Sequence, residues 1–294
     1  MNSCMALTII SIVTPSFNQG RFIEETIRSI LAQEGDFFID YIVVDGGSTD
    51  QSVDIIRKYD ILLREGTLDT ACRGITYRWV SEKDRGQVDA LKKGFRMAKG
   101  DIFCWLNSDD VYLERDVLQR VSSYFSADKD LELLTADGFF INENGQTSGL
   151  HHVDRIVFKE LLYLDYHILQ PSTFFRRKIY AEDSLREKYV CALDADFFIR
   201  LIWEGVKYKK TDDIMSGFRI YPEIKTVALA GTRYREQLAI AQLYSNNILL
   251  LAVSAVYRYF EIILRQKLPP RLFQAFFPTL KSLSYWIITG KRGR

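Results

Sequence analysis

Three times within the first 110 residues, a short apolar run stops abruptly at a loop that carries an acid. Tyr41–Val44 ends at Asp45-Gly46-Gly47-Ser48-Thr49-Asp50. Ile75–Val80 leads into Ser81–Gln87, with Asp84 inside it, and Ile102–Leu106 ends at Asn107-Ser108-Asp109-Asp110. Apolar runs of this length suit strands buried on both faces of a sheet. Adjacent carboxylates such as Asp109 and Asp110 are electrostatically costly unless a cation or a long side chain neutralises them. A single acidic loop is ordinarily a solvated turn or an Asp helix cap. Three on one sheet edge point to a binding cleft, because ligands of open α/β sheets bind outside the carboxyl ends of the strands.

The intervening segments carry helical periodicity. Leu7–Thr14 predicts a first buried strand, followed by a turn at Pro15, Ser16, Asn18 and Gly20. Ile23, Ile27, Ile30 and Leu31 predict an amphipathic helix through about Ala32. Val53, Ile55 and Ile56 mark a second helix, capped by Ser48 or Asp50, and Val88, Leu91, Phe95 and Met97 mark a third. The less regular stretch from Ile61 to Gly74 predicts an excursion between units. Alternation of this kind predicts a parallel sheet. Further along, Leu113–Tyr124 predicts a helix, and Leu131–Asn142 a strand or hairpin turning at Glu143-Asn144-Gly145.

Composition narrows the function classes. With 294 residues and 47% hydrophobic content the chain buries a real core, and a net charge of +1 offers nucleic acid nothing global to bind. Cys4, Cys72, Cys104 and Cys191 lack CxxC spacing, which argues against a zinc site or disulfide framework and suits a reducing, cytoplasmic compartment. The apolar N-terminal run is short and has no basic region before it, so it reads as a strand and not a signal peptide. There is no GxGxxG after the first strand and no GxxxxGK[ST], so neither a dinucleotide site nor a P-loop is expected. Carboxylates repel phosphates but hold them through a divalent cation, and they accept hydrogen bonds from base and ribose. A nucleoside diphosphate with a metal satisfies all three loops.

Four stretches resemble the family 2 glycosyltransferases, in order and spacing: TPSFNQ at Thr14–Gln19, VVDGGSTD at Val43–Asp50, DRGQVDALKKGF at Asp84–Phe95, and GDIFCWLNSDD at Gly100–Asp110. The resemblance covers about Leu7–Arg219. It implies an α/β fold of GT-A type, a mixed sheet flanked by helices. It also implies an inverting reaction, a nucleotide-sugar donor (a UDP-sugar is the first expectation) and a divalent manganese or magnesium ion. Carried over by position, Asp45 matches the acid that contacts the nucleobase and Asp84 the acid near base and ribose. Thr14, Pro15 and Gln87 fall in donor-binding motifs. Asn107-Ser108-Asp109 occupies the DxD motif, with Asn107 in place of its first acid. Asp109 then becomes the main metal ligand, with Asp110 as helper or helix cap.

Leu193-Asp194-Ala195-Asp196, followed by Phe197-Phe198-Ile199-Arg200-Leu201, resembles the ED-containing motif that starts a helix and carries the general base. The resemblance assigns that role to Asp194, with Leu193 replacing the usual Glu and Asp196 on another face of the helix. Arg219-Ile220-Tyr221 corresponds to an Arg-x-His element, with Tyr221 where a metal-binding His is expected. Gln170–Phe175 resembles a segment lining the acceptor side and reads equally as a turn into a core strand. His151 and His152 have no carboxylate at ligand spacing and read as loop surface. The expected organisation is a catalytic domain over 1–230, with a nucleotide-sugar half to 110 and an acceptor half beyond it. A helical region over 231–294 follows. There Ile248–Leu264, interrupted by Arg258 and Glu261, is separated by Pro269-Pro270 from the aromatic run Leu272–Ile288, with Lys281 inside and Lys291, Arg292 and Arg294 beyond. These segments fit peripheral contact with a membrane interface, and equally a cap or homo-oligomer surface. The expected activity is transfer of a sugar to a glycan or lipid-linked acceptor in polysaccharide biosynthesis. A sugar-nucleotide nucleotidyltransferase and a silent glycan-binding protein are the rival readings.

Overall fold

Burial on both faces is what makes the first strands near-continuous apolar runs. The computed structural model describes residues 7–290, so Cys4, Lys291, Arg292 and Arg294 lie outside the described residues. Strand β1 (Ile9–Ser16) is buried at all but its first position, as is β2 (Phe38–Asp45). Helices α1 (Ile23–Leu31), α2 (Ser52–Arg64) and α3 (Gln87–Met97) connect β1, β2, β3 (Gly74–Ser81) and β4 (Ile102–Trp105). These four strands lie side by side in the order β3-β2-β1-β4 and all run parallel, so their carboxyl ends share one edge. β3 is the sheet's outer strand and only half-buried. Asp50 turns the chain into α2: its carboxylate accepts the N–H of Ser52 at 3.0 Å and of Gly20 at 2.8 Å. The helix continues to Arg64 because Leu62 and Leu63 pack on the core, so the irregular excursion is shorter than its sequence suggests.

A buried polar network pins the strands toward their amino ends. Asp40 accepts the Ser11 hydroxyl at 2.6 Å and the Lys99 N–H at 2.7 Å, and pairs with Arg78. Gly100 is required beside it: a Cβ there would stand 2.6 Å from the Ile9 carbonyl oxygen.

After β4 the sheet becomes mixed. β5 (Val111–Tyr112) pairs antiparallel with a strand from much later in the chain, and α4 (Val117–Ala127) follows with Asp116 at its N-cap. The expected helix from Leu113 thus begins four residues later, and Asp110 caps no helix; residues 111 and 112 are drawn into the sheet instead. β6 (Leu133–Ile141) and β7 (Thr147–His151) form the expected hairpin. β8 (Thr173–Arg176) lies antiparallel between β4 and β6, and β9 (Tyr208–Arg219) runs parallel to β6. One face of the sheet carries Ile10, Ile12, Tyr41, Val43, Ile102 and Cys104, packed with Ile27, Ile56, Val121 and Phe125 from the helices. The other buries an aromatic cluster in which Phe95 stacks on Phe103 at 5.3 Å and meets Trp105 and Phe175 edge-on.

The chain packs as two compact units. The whole sheet belongs to one, made of the chain through Asp154 with Leu169–Glu187 and Val206–Ile220. The other gathers Arg155–Ile168, Lys188–Gly205 and the chain from Tyr221 onward. It is helical: α5 (Phe158–Tyr163), α6 (Leu193–Trp203), α7 (Lys225–Ala228), α8 (Ala230–Tyr244), α9 (Ile248–Lys267) and α10 (Pro270–Thr289). Pro269-Pro270 separates the last two helices, as expected.

α9 has its faces reversed. Ile248, Leu249, Val256, Tyr259 and Phe260 are exposed, on an arc of roughly 120° at 3.6 residues per turn. Ser254, Arg258 and Glu261 are buried on the opposite side. Arg258 donates to Ser254 Oγ, to the Leu162 carbonyl and to the Gln237 side chain, so its charge is satisfied inside the unit. Among the described residues no helix is long and apolar enough to cross a membrane.

Candidate functional site

The parallel strands bring all three acidic loops to one sheet edge. Asp45, the last residue of β2, is fully buried and turned into its own loop. Its carboxylate accepts N–H groups of Gly47 (3.1 Å) and Ser48 (2.9 Å) and hydroxyls of Ser48 (2.5 Å) and Ser81 (2.7 Å). Thr14 and Pro15 at the end of β1 are buried as well. The solvent-accessible parts of this edge are therefore residues 47–49 and Asp84. Asp84 is half-buried, accepts the Gly86 N–H at 2.8 Å, and lies so close to Gly46 that a Cβ there would stand 2.7 Å from its Oδ2.

At the end of β4, Asn107 is the hub of an amide network. Its Oδ1 accepts from Gln87 Nε2 at 2.8 Å. Its Nδ2 donates to Asp110 Oδ2 at 3.2 Å and to Gln170 Oε1 at 3.1 Å. Gln170 is held in turn by donating to the Trp105 carbonyl at 2.6 Å. Gln170 opens a helical turn into β8, so this segment has the core-strand structure that was one of its two readings. Ser108 is buried beside the hub.

Both acids, Asp109 and Asp110, are buried. Asp110 is fully buried, accepts the Arg219 N–H at 3.0 Å, and holds its proton well above the usual carboxylate range because of burial and the neighbouring Asp109. Arg219 is itself fully buried. Its guanidinium donates to the carbonyls of Asp109 (2.8 Å), Asn142 (3.0 Å) and Glu143 (3.0 Å), pairs with Glu25 at 2.5 Å, and stacks over Phe22. The acid loop is thus clamped by a residue more than a hundred positions later. Glu25 carried no sequence signal beyond its place in the first turn of α1.

Asp109, buried in the same loop, is a carboxylate of the chemistry that divalent cations take as a ligand. Asp110 accepts from the Arg219 N–H and the Asn107 amide, which braces the loop beside Asp109. Magnesium and manganese are commonly held by one or two carboxylates with phosphate oxygens and water, and a second positive charge beside these acids relieves their repulsion.

His152 is an exposed loop residue, as expected, whereas His151 ends β7 half-buried; the structure gives His152 the carboxylate partners that its sequence spacing did not show. His151 meets the Phe140 ring edge-on, and His152 lies 2.6 Å from the buried Asp137 and 3.1 Å from Asp154. Asp137 comes from β6, fifteen residues earlier, so no local spacing reveals it. Together with Asp212, Asp137 and His152 place potential ligand atoms within 4.8 Å of one another. Lys210 already sits between the acids, 2.8 Å from Asp137 and 3.4 Å from Asp212, so the group is an ion-pair network with its cation supplied.

In the helical unit, the LDADFFIRLIW segment forms α6, and Asp194 stands in its first turn, as expected. Asp194 is half-buried, and its carboxyl is pushed up to about 6, chiefly by burial, against the opposing pull of its neighbouring N–H groups and Arg233. Tyr166 lies close enough that this carboxylate raises its phenol further. Leu193 and Asp196 are buried. Glu236, which the sequence did not single out, reaches from α8 to the loop before α6 and accepts the N–H groups of Val190, Cys191 and Ala192. Tyr221, in the same unit, is buried.

Comparison with known proteins supplies the context. Residues 11–186 match the family described as "Glycosyl transferase family 2". The chain is 30% identical over 198 residues to a PGL/p-HBAD biosynthesis glycosyltransferase of Mycobacterium bovis, covering 67% of this chain and 70% of that one. It is 25% identical over 216 residues to an uncharacterized glycosyltransferase of Methanocaldococcus jannaschii, covering 72% and 71%. Among solved structures it is similar to S. aureus TarS 1–349 in complex with UDP, with a TM-score of 0.58, 17% identity and coverage of 97% and 93%. Against the longer TarS chain it spans about half the length (52%), at a TM-score of 0.59 and 16% identity. The mannosyltransferase PcManGT from Pyrobaculum calidifontis, in complex with GDP-Man and Mn2+, matches at a TM-score of 0.52 and 16% identity, covering 97% and 71%.

Proposed function

We propose, for a chain that belongs to glycosyl transferase family 2 and is a glycosyltransferase of GT-A fold, an inverting transfer from a nucleotide-sugar to a glycan or lipid-linked acceptor. The observation that carries this reading is the convergence of the 46–49 loop, Asp84 and the Asn107–Asp110 loop on one edge of the parallel strands. The nucleoside sits against that loop and Asp84, over a floor made by Thr14, Pro15 and the inward-turned Asp45. Gln87, Asn107 and Ser108 shape the ribose side. A UDP-sugar is the proposed donor, supported by the UDP complex of TarS. Asp109 would hold a divalent cation, manganese or magnesium, which when bound neutralises charge on the departing diphosphate. Mn2+ is present in the PcManGT complex.

Asp194 takes the proton of the acceptor hydroxyl as its oxygen bonds to the anomeric carbon, while the bond from that carbon to the diphosphate oxygen breaks on the opposite face. The product therefore has the inverted configuration. A carboxyl whose affinity for protons is raised to about 6 is a stronger base than an exposed one and still ionised at neutral pH. We also propose that the exposed apolar arc of α9, with Leu283, Trp286 and Ile287 of α10, rests on a membrane surface near lipid-linked acceptors. The free thiols of Cys72, Cys104 and Cys191 suit its cytoplasmic side.

The test is calorimetric titration of UDP and GDP with and without manganese, repeated on Asp109→Ala. The expected result is nucleotide binding strengthened by manganese in the wild type and insensitive to it in the variant. Metal-independent binding that survives the substitution would reject the cation site. NMR of the transferred sugar reports the anomeric configuration, and retention would reject the single-displacement chemistry.

A further inference from the structure

Ala192 is the N-cap of α6 and has no side chain to satisfy the first N–H groups of the turn that carries Asp194. A local Ser or Asp would ordinarily do this. Here a carboxylate 44 residues further along does it: Glu236 Oε1 accepts from Val190 at 2.9 Å, and Oε2 accepts from Cys191 at 2.8 Å and Ala192 at 2.9 Å. Successive N–H groups converging on one point form an anion nest at the positive end of a helix, and the protein supplies its own anion. The Ala192 carbonyl accepts the Asp196 N–H at 2.9 Å, so the residue gripped by Glu236 also closes the first turn of α6 around Asp194. Glu236 itself does not float. The next residue, Gln237, accepts from the buried Arg258 of α9, which also donates to the Leu162 carbonyl at the end of α5.

We propose that Glu236 is the positioning residue of the general base: by clamping residues 190–192 it sets where the Asp194 carboxylate stands, and it makes turnover depend on the C-terminal helices. The inference rests on the assignment of Asp194 as base. It predicts a role for α8 and α9 in the chemical step, in addition to any contact with a membrane.

The experiment compares Glu236→Ala, Glu236→Gln, Asp194→Asn and the double variant Glu236→Ala/Asp194→Asn. UDP-N-acetylglucosamine and GDP-mannose with manganese are the donor probes, with kcat and donor KM followed against pH. Alkylation of Cys191 by iodoacetamide, read by peptide mass spectrometry, reports the loop without reference to activity. Loss of the clamp should raise Cys191 alkylation and lower kcat about a hundredfold, the scale of a 1 Å misplacement, with donor KM unchanged. Glu236→Gln keeps an acceptor oxygen, should fall less, and decides the matter should the alanine variant not fold. The double variant should be no slower than Asp194→Asn alone. Wild-type kcat and an unmoved acid limb in both Glu236 variants, with Asp194→Asn inactive, would overturn the positioning role and leave the base intact. Wild-type turnover in Asp194→Asn would instead overturn the base assignment on which the inference stands.

Discussion

Restoring the acid that the family pattern places at position 107 should weaken this protein. In Asn107→Asp the Gln87 amide still has an oxygen to donate to, at the present 2.8 Å. The two acceptors on the other side, Asp110 Oδ2 at 3.2 Å and Gln170 Oε1 at 3.1 Å, lose their only donor from this residue and face a carboxylate. Gln170 is not free to flip its amide in response, because its Nε2 is committed to the Trp105 carbonyl at 2.6 Å. Stranding a buried acceptor costs about 1–3 kcal/mol each. Relaxation and water offset part of that, so a loss of about 3 kcal/mol is expected, and Asn107→Ala, which strands the same groups without adding charge, should lose less. Urea unfolding with chelator present measures this directly. With a slope of about 3 kcal/mol per molar, 3 kcal/mol moves the midpoint down by about 1 M. An Asn107→Asp protein as stable as the wild type would refute the view that the amide here is a structural hub.

Further outcomes follow from the same geometry. Gly46→Ala should weaken UDP binding several-fold while leaving thermal stability nearly unchanged, since the new Cβ displaces the Asp84 carboxylate and little else; an unaltered dissociation constant would contradict the placement of Asp84 in the donor site. Turnover should rise as pH increases through about 6, where Asp194 ionises, and this limb should be absent from any residual activity of Asp194→Asn. Because its folded-state pKa is raised from 3.8 to about 6, the stability tied to the neutral form is full below 3.8 and lost as pH passes 6. Asp194→Asn should therefore melt higher than wild type at pH 8 but not at pH 4, by about 3 kcal/mol at most. For His152 the partners Asp137 and Asp154 raise the pKa above 6.5. Its stabilising charge is complete below the unfolded value and disappears as pH rises through the folded one, so the melting difference between wild type and His152→Asn should be largest at pH 6 and vanish at pH 9.

What was legible in the sequence was local. Strand–helix alternation up to β4 follows from apolar periodicity within windows of a dozen residues, and the acids at strand ends become a shared edge once the strands are parallel. The helix beginning at Leu193 and the break at Pro269-Pro270 are local in the same way. The rest depends on partners that arrive from far along the chain. Asp45 faces inward because Ser81 comes from the neighbouring strand. Asp110 is braced because Arg219 reaches it across 109 residues. The two residues after Asp110 look like the approach to a helix until β9 pairs with them. Arg258 and Glu261 interrupt an apolar run, yet the fold turns them inward and leaves the apolar residues outside. Glu236 sits in an unremarkable polar stretch, and only the three backbone groups it meets reveal a use for it.

The order in which the sheet is assembled has a consequence for synthesis. β8 lies between β4 and β6 but is encoded after both, and β9 and β5 complete the far side only when residue 219 has been made. A nascent chain that has emerged through Asp154 therefore carries β4 with one open backbone edge, flanked by Phe103 and Trp105, and β6 with the side that β9 later takes open and residues 133–135 still without β8 on the other. Such edges are templates for pairing with other chains. The helices α5 and α6 are translated in between, so neither compact unit can finish folding before the other has begun. During that interval the open strand edges are the places where a partly made chain would pair with another chain, an exposure that a protein built from two consecutive domains would not share.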